Sequence, residues 1–212
     1  MHGVGDVRFF NRLAPLYDIV MPAADDDALR AGLARADRSV DRLVDLGGGS
    51  GRATIAVDAT ERTVVDISRG MLERARTRQP DESGRRIRRR SSGDNAGMVG
   101  PLSAVQGDAS RLPLGDNAVD AAIVVDAFHH MPDQAAVLDE AQRAIRAGGV
   151  CVIREFDPSH PLGWLLARAE HAFGMESTFH TPKALAELLA TAGFTVSVLD
   201  AGFEYTVVGA NH

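Results

Sequence analysis

Between Leu43 and Thr54 the chain reads LVDLGGGSGRAT, the stretch that most narrows what it can fold into. Leu43, Val44 and Leu46, with Asp45 interposed, make an apolar run suited to a short strand buried on both faces. Gly47, Gly48, Gly49 and Gly51 follow at once, and a helix is predicted to begin near Arg52. Glycines let the backbone adopt positive φ and approach a ligand closely, while a helix start adds N–H groups that have no partner within the helix. Strand, glycine turn and helix start together predict a nucleotide-like ligand at the strand's carboxyl end.

Spacing narrows the ligand further. A dinucleotide-binding turn, G-x-G-x-x-G, would need glycine where Arg52 stands. A phosphate-binding P-loop needs a Gly-Lys pair, and the lone lysine, Lys183, is far away. What remains is D-x-G-x-G-x-G, from Asp45 to Gly51.

Strands and helices alternate along the rest of the chain. A helix is predicted over residues 25–38, ahead of the first strand, and a second strand at 63–67, with Asp66 at its carboxyl end. A carboxylate there can accept charge-assisted hydrogen bonds from ribose hydroxyls. Ser68 and a helix at 69–78 follow, with Met71 in its first turn. Strands three and four are predicted at 102–106 and 119–125; the first leads into Gly107-Asp108-Ala109, the second into Asp126-Ala127-Phe128-His129-His130-Met131. A helix at 133–147 stops at Gly148-Gly149, and a fifth strand spans 150–156. Helices at 161–173 and 181–192 precede strands at 194–199 and 203–208, which Asp200-Ala201-Gly202 joins as an antiparallel hairpin at the sheet edge.

The Asp45–Gly51 motif resembles the first motif of the class I S-adenosylmethionine-dependent methyltransferases, and the likeness runs from about Phe9 to Val208. The stretch from Phe10 to Tyr17-Asp18, within an amphipathic pattern at 8–21, is similar to the N-terminal segment of the ubiquinone/menaquinone biosynthesis type. The resemblance implies a doubly wound α/β fold, Rossmann-like, with a seven-stranded, mostly parallel sheet ending in that hairpin. It implies one domain over 1–212, with a helical lid at 1–38, and S-adenosylmethionine as cofactor. Asp45, Gly47, Gly49 and Gly51 would then wrap the methionine part, Asp66 the ribose, and Met71 one edge of the adenine. Asp108 would meet the adenine amine and Ala109 a ring nitrogen, with Ile67 and Asp126 completing the cofactor contacts. The chain departs from the family mainly in an arginine-rich insertion at 80–101, expected to be a flexible exposed loop.

Transfer to a phenol, enol or amine needs a base, and His129, His130 and Tyr17 are the leading candidates. His160, His180 and Glu155 also fall in segments expected on the ligand side. His129 and His130 are not read as a metal pair, because adjacent residues rarely point at one ion and no third ligand is evident.

Bulk properties set the remaining expectations. The chain has 212 residues, 45% of them hydrophobic, enough for one domain with a substantial core. Asp6, Arg8, Arg12 and Asp18 argue against a signal peptide, and no apolar run approaches the ~20 residues that span a bilayer. A single cysteine, Cys151, excludes an internal disulfide framework, so a cytoplasmic protein is expected. A net charge of −6, and no aromatic residue within the insertion, argue against a nucleic-acid partner. The reading is a methyltransferase acting on a small molecule, of quinone-like or other aromatic type. The alternatives are an RNA methyltransferase using the arginine-rich loop and a non-catalytic S-adenosylmethionine-binding protein. Oligomeric state is not legible.

Overall fold

Val119–Val125 is the strand on which both layers of the molecule close, with every residue but the last buried. The structure is a computed structural model and describes residues 26–78 and 101–212. The amphipathic leader with Tyr17, most of the 1–38 lid segment and the arginine-rich stretch up to residue 100 lie outside the described residues.

Helix α1 (Asp26–Leu33) is followed by β1 (Arg42–Leu46), β2 (Glu61–Asp66) and α2 (Arg69–Thr77). Next come β3 (Leu102–Gln106), β4 (Val119–Val125), α3 (Gln134–Ala144) and β5 (Ile145–Phe156). The C-terminal part holds α4 (Pro161–Ala172), α5 (Pro182–Thr191), β6 (Thr195–Val198) and β7 (Glu204–Ala210). The seven strands form one sheet in the order β3-β2-β1-β4-β5-β7-β6. All are parallel except β7, which runs antiparallel to both β5 and β6. The expected hairpin is present, but β7 sits inside the sheet and only β6 forms the edge.

Successive strand residues point to opposite faces, and the two cores divide accordingly. Cys151 and Ile153 of β5 join Val44, Leu46, Ala122 and Val124 beneath α3 and α5. Val150 and Val152 instead join Leu43, Ala121 and Ile123 beneath Leu29 and Leu33 of α1. Serine, aspartate and threonine start three of the helices: Ser68, Asp133 and Thr181 each accept a backbone N–H in the following turn.

Boundaries differ from expectation in several places: α1 stops at Leu33 rather than 38, and β2 starts at Glu61 rather than 63. The helix predicted to 147 ends at Ala144, because Ile145 already pairs with Val119; the ladder then bulges and resumes at Val150. Gly148 and Gly149 therefore shape a bulge rather than stop a helix. The helix predicted at Arg52 is only a 3-10 turn, Thr54–Ala56. Few residues separate Gly51 from Glu61, and Ala53, Val57 and Ala59 are drawn into the core beneath α1. No helix among the described residues is long and apolar enough to cross a membrane.

At the far edge from the glycine turn, Asp120 staples three segments. Its Oδ2 accepts the Asp41 and Arg42 N–H groups, at 3.1 and 2.9 Å, and its Oδ1 pairs with Arg38 and Arg146, each at 3.0 Å. Burial pushes this carboxyl up, but those donors and guanidiniums outweigh it and hold it below the usual carboxylate range. A depressed carboxylate pKa contributes stability above its unfolded value, and that stability is lost as pH falls through the folded value. Asp120→Asn should destabilise the protein by about 1–3 kcal/mol at neutral pH in urea unfolding. The gap from the wild type should close below about pH 4.

Candidate functional site

A cavity of about 460 Å³ opens at the carboxyl ends of the central parallel strands, with the glycine turn along one wall. Gly49 takes φ +55 and donates its N–H to Asp66 Oδ2 at 2.9 Å. The other Asp66 oxygen accepts the Ser68 N–H at 2.6 Å, so one carboxylate ties the turn to the start of α2. At Gly48 there is no room for a side chain, since a Cβ would stand 2.4 Å from the Asp45 carboxyl carbon. Gly47 and Gly49 line the cavity; Gly51 does not, and instead faces Leu102, Ala75 and Val64.

Two carboxyl groups in this wall have unused capacity. Asp45 is fully buried and accepts the Thr54 hydroxyl at 2.5 Å through Oδ2. Asp126 ends β4 with φ +51, a conformation uncommon outside glycine. Oδ1 of each is buried without a hydrogen-bond partner among the described residues. Burial, with Asp66 nearby, raises Asp45 to about 7. Burial, with Glu155 and Glu204, raises Asp126 to about 7 as well. Both line the cavity. Such groups suit a ligand bearing positive charge, which would supply the missing partner and favour their ionised forms.

The opposite side suits a flat heterocycle. Ile67 and Met71 line the cavity, as do Asp108 and Ala109. Asp108 Oδ1 holds the Ser110 N–H at 2.9 Å and the Ser110 hydroxyl at 2.7 Å. The cavity wall also includes Met131 and Val137, which the sequence reading did not single out. A methionine directly after two histidines carries no recognisable signal.

The two adjacent histidines separate. His130 lines the cavity, and its Nδ1 lies 3.2 Å from Ser177 Oγ. Burial, then the charge of His129, pushes His130 down to about 4. His129 points away into the protein and is 2% exposed. Its Nδ1 is 2.6 Å from Glu155 Oε2 and its Nε2 3.7 Å from Glu170 Oε1. Burial alone would lower His129, but the two glutamates overturn this and raise it to about 10. The structure buries His129 outside the cavity wall, so of the two histidines only His130 is placed to meet a ligand there.

Among the described candidates, His160, His180 and Glu155 also fall outside the cavity wall. His160 caps α4, accepting the Leu162 N–H at 3.3 Å. His180 Nε2 donates to Gln134 Oε1 at 2.6 Å. Glu155 accepts the Phe128 N–H at 2.7 Å besides the His129 ring. Local sequence could reveal the His160 cap but not the other two, whose partners come from distant segments.

Comparison with known proteins agrees with this geometry. A family model described as a methyltransferase domain matches residues 44–153, from β1 to β5. The chain belongs to this methyltransferase family. A demethylmenaquinone methyltransferase of Beutenbergia cavernae is 29% identical over 189 residues, covering 84% of this chain and 67% of that protein. The ubiquinone/menaquinone biosynthesis C-methyltransferase UbiE of Shewanella frigidimarina is 29% identical over 75% of this chain and 61% of its own length. The chain thus spans about three fifths to two thirds of these relatives. A solved S-adenosylmethionine-dependent methyltransferase of Thermotoga maritima, described as a possible histamine N-methyltransferase, has the same fold. It superposes with a TM-score of 0.72 at 20% identity, covering 97% of this chain and 99% of that one.

The residues present fit S-adenosylmethionine, the cofactor that the sequence resemblance implies. The buried, unpartnered oxygens of Asp45 and Asp126 complement a sulfonium and an ammonium group, and no P-loop is offered for a phosphate. A carboxyl pKa raised in the folded state costs stability progressively as pH rises from the unfolded value through about 7. Ligand cations recover that cost only where the group ionises. Affinity for S-adenosylmethionine should therefore increase between about pH 5.5 and 8. Asp126→Asn should remove about 1–3 kcal/mol of binding at the upper end and much less at the lower, as read by calorimetry.

Proposed function

We propose that the protein transfers the methyl group of S-adenosylmethionine to a small apolar acceptor of quinone-like type, with residues 1–212 acting as one methyltransferase domain. The observation that carries this reading is one cavity combining unpartnered carboxyl oxygens with an apolar wall and a neutral histidine. The named activities of the relatives support the acceptor class. They do not favour an RNA methyltransferase or a non-catalytic binder.

In this reading Asp45 and Asp126 hold the cationic end of the cofactor. The turn at Gly47 and Gly49 lies along its methionine part, above the packing that Gly51 permits. Asp66 receives the ribose while keeping its bond to Gly49. Met71, Ile67, Asp108 and Ala109 enclose the adenine. When bound, S-adenosylmethionine supplies a methyl group on positively charged sulfur, already activated for displacement. The chain's own contribution is alignment and exclusion of water, and orientation of this kind is worth roughly 7–11 kcal/mol of barrier.

His130 is the side chain placed to meet an acceptor hydroxyl. Being neutral, its ring both donates and accepts, with Ser177 beside Nδ1. It orients the hydroxyl and receives its proton as negative charge develops on the acceptor. Tyr17 stays a candidate partner by sequence alone.

His130→Ala should lower turnover by ~10²-fold or more while affinity for S-adenosylhomocysteine is retained. A loss of both together would make His130 a structural group. Asp66→Ala should weaken cofactor binding by about 1–3 kcal/mol, and heat-induced unfolding should show the turn loosened too. The proposal itself is tested by offering radiolabelled S-adenosylmethionine with a panel of reduced quinones and with bulk RNA. Label entering the quinone fraction supports it; label entering only RNA overturns it.

A further inference from the structure

Glu155 is engaged from both oxygens, Oε2 also accepting the Phe156 N–H at 3.4 Å. Its Oε1 accepts the N–H groups of Phe128 and His129, at 2.7 and 3.2 Å, and its Oε2 faces His129 Nδ1 at 2.6 Å. A carboxylate receiving these donors requires the proton to be on Nδ1. The other ring nitrogen faces a second carboxylate, Glu170 of α4, at 3.7 Å, in a place closed to water. A neutral ring would turn a bare lone pair toward that anion, so Nε2 is protonated as well. Phe179 stacks on the same ring at 4.2 Å, and the His129 carbonyl accepts the Thr178 N–H at 2.7 Å.

We infer that His129 is a permanent buried cation that binds the end of β5 and helix α4 to the turn carrying His130, with Glu155 and Glu170 as positioning residues acting through it. The inference rests on the methyl-transfer reading only for what His130 does, and its own geometry is independent of any acceptor. His129 belongs to the short turn Phe128–His130, so fixing its ring fixes the next residue. His130 is held from the other side by Ser177, in the segment that leaves α4. The pull of Glu155 and Glu170 thus sets both where His130 stands and that it stays uncharged, since a fixed positive charge at van der Waals range opposes a second.

The surrounding charges are consistent with one cation here. Beta strand β5 contributes Glu155, and also Arg154, which pairs with Glu204 of β7. Helix α4 contributes Glu170 and His171, whose Nε2 lies 3.0 Å from the Ser177 carbonyl. Asp126 stands at the end of β4, and His180 approaches from beyond Phe179 with its ring on Gln134. His129, His130 and Glu170 also place one donor atom each within 4.8 Å of one another, the arrangement of a candidate divalent-metal site. In the inferred state the Nε2 proton takes the place of the metal.

The test is nuclear magnetic resonance of the full chain, labelled with ¹⁵N at its seven histidines and assigned through His129→Gln and His130→Gln. The His129 ring should stay doubly protonated from about pH 5 to about pH 9, while His130 stays neutral. In His129→Gln the His130 pKa should rise by about one to three units, toward that of an ordinary histidine. Glu170→Gln, at a largely buried helical position, should keep the affinity for S-adenosylhomocysteine while lowering kcat about tenfold, with KM for the cofactor unchanged. A His129 ring that titrates near the ordinary histidine value overturns the inference. So does one-to-one uptake of zinc, added alone, with loss of the His129 Nε2–H signal, which would make the cluster a metal site. A His130 pKa unmoved in His129→Gln would reduce His129 to a packing residue and overturn it equally. Apart from the Glu170→Gln turnover, none of these readings needs a methyl acceptor, so failure of the proposed function leaves them intact.

Discussion

Negative charge withheld from water at the open edge of a parallel sheet is the constraint around which this molecule is arranged. Parallel strands all end on the same side, so the residues that close β1, β2 and β4 come together there: Asp45 within β1, Asp66 at the end of β2 and Asp126 just past β4. Burial raises all three above the usual carboxylate range. Only Asp66 is fully engaged by backbone N–H groups, through Gly49 and Ser68. The other two keep an oxygen without a hydrogen-bond partner among the described residues, a cost that a cationic ligand would remove. Stability and affinity are coupled through the same atoms, as expected where a binding site is preorganised.

The site has two halves with different supports. The cofactor half is local in sequence: a strand, a glycine turn and the carboxylate of the neighbouring strand, with Met71 behind it. Its turn is held by hydrogen bonds rather than by a following helix, since only the Thr54–Ala56 turn forms there. The support behind His130, the proposed acceptor half, is assembled from the turn at Phe128–His130, the end of β5, α4 and the segment running to His180. Its members are joined across long sequence separations, by Thr178 to His129, Gln134 to Phe128 and Thr178, and Tyr205 to the His180 carbonyl. A ligand gripped by the first half can therefore be presented to variable chemistry in the second.

Adjacent residues with the same side chain illustrate why position outweighs residue type. His129 and His130 have ring centroids 4.1 Å apart, yet one is driven up to about 10 and the other down to about 4. Burial pushes both down. Two carboxylates reverse the effect at His129, and the resulting charge deepens it at His130.

The amino-acid sequence alone determined the α/β class, the strand positions of β3 and β4 to the residue, and most of the glycine-turn side of the cavity wall. Those features depend on contacts within a few residues, on hydrophobic periodicity and on glycine spacing, all of which are written locally. Strand order, the insertion of β7 between β5 and β6, the bulge after Ala144 and the collapse of the expected helix to a short turn were decided by the tertiary structure. So was the separation of the histidines, because their states follow from Glu155, Glu170, Ser177 and Phe179, which only folding brings within a few ångströms of them. A side chain's charge is set by what surrounds it in space, and that information does not exist until distant strands and helices have met.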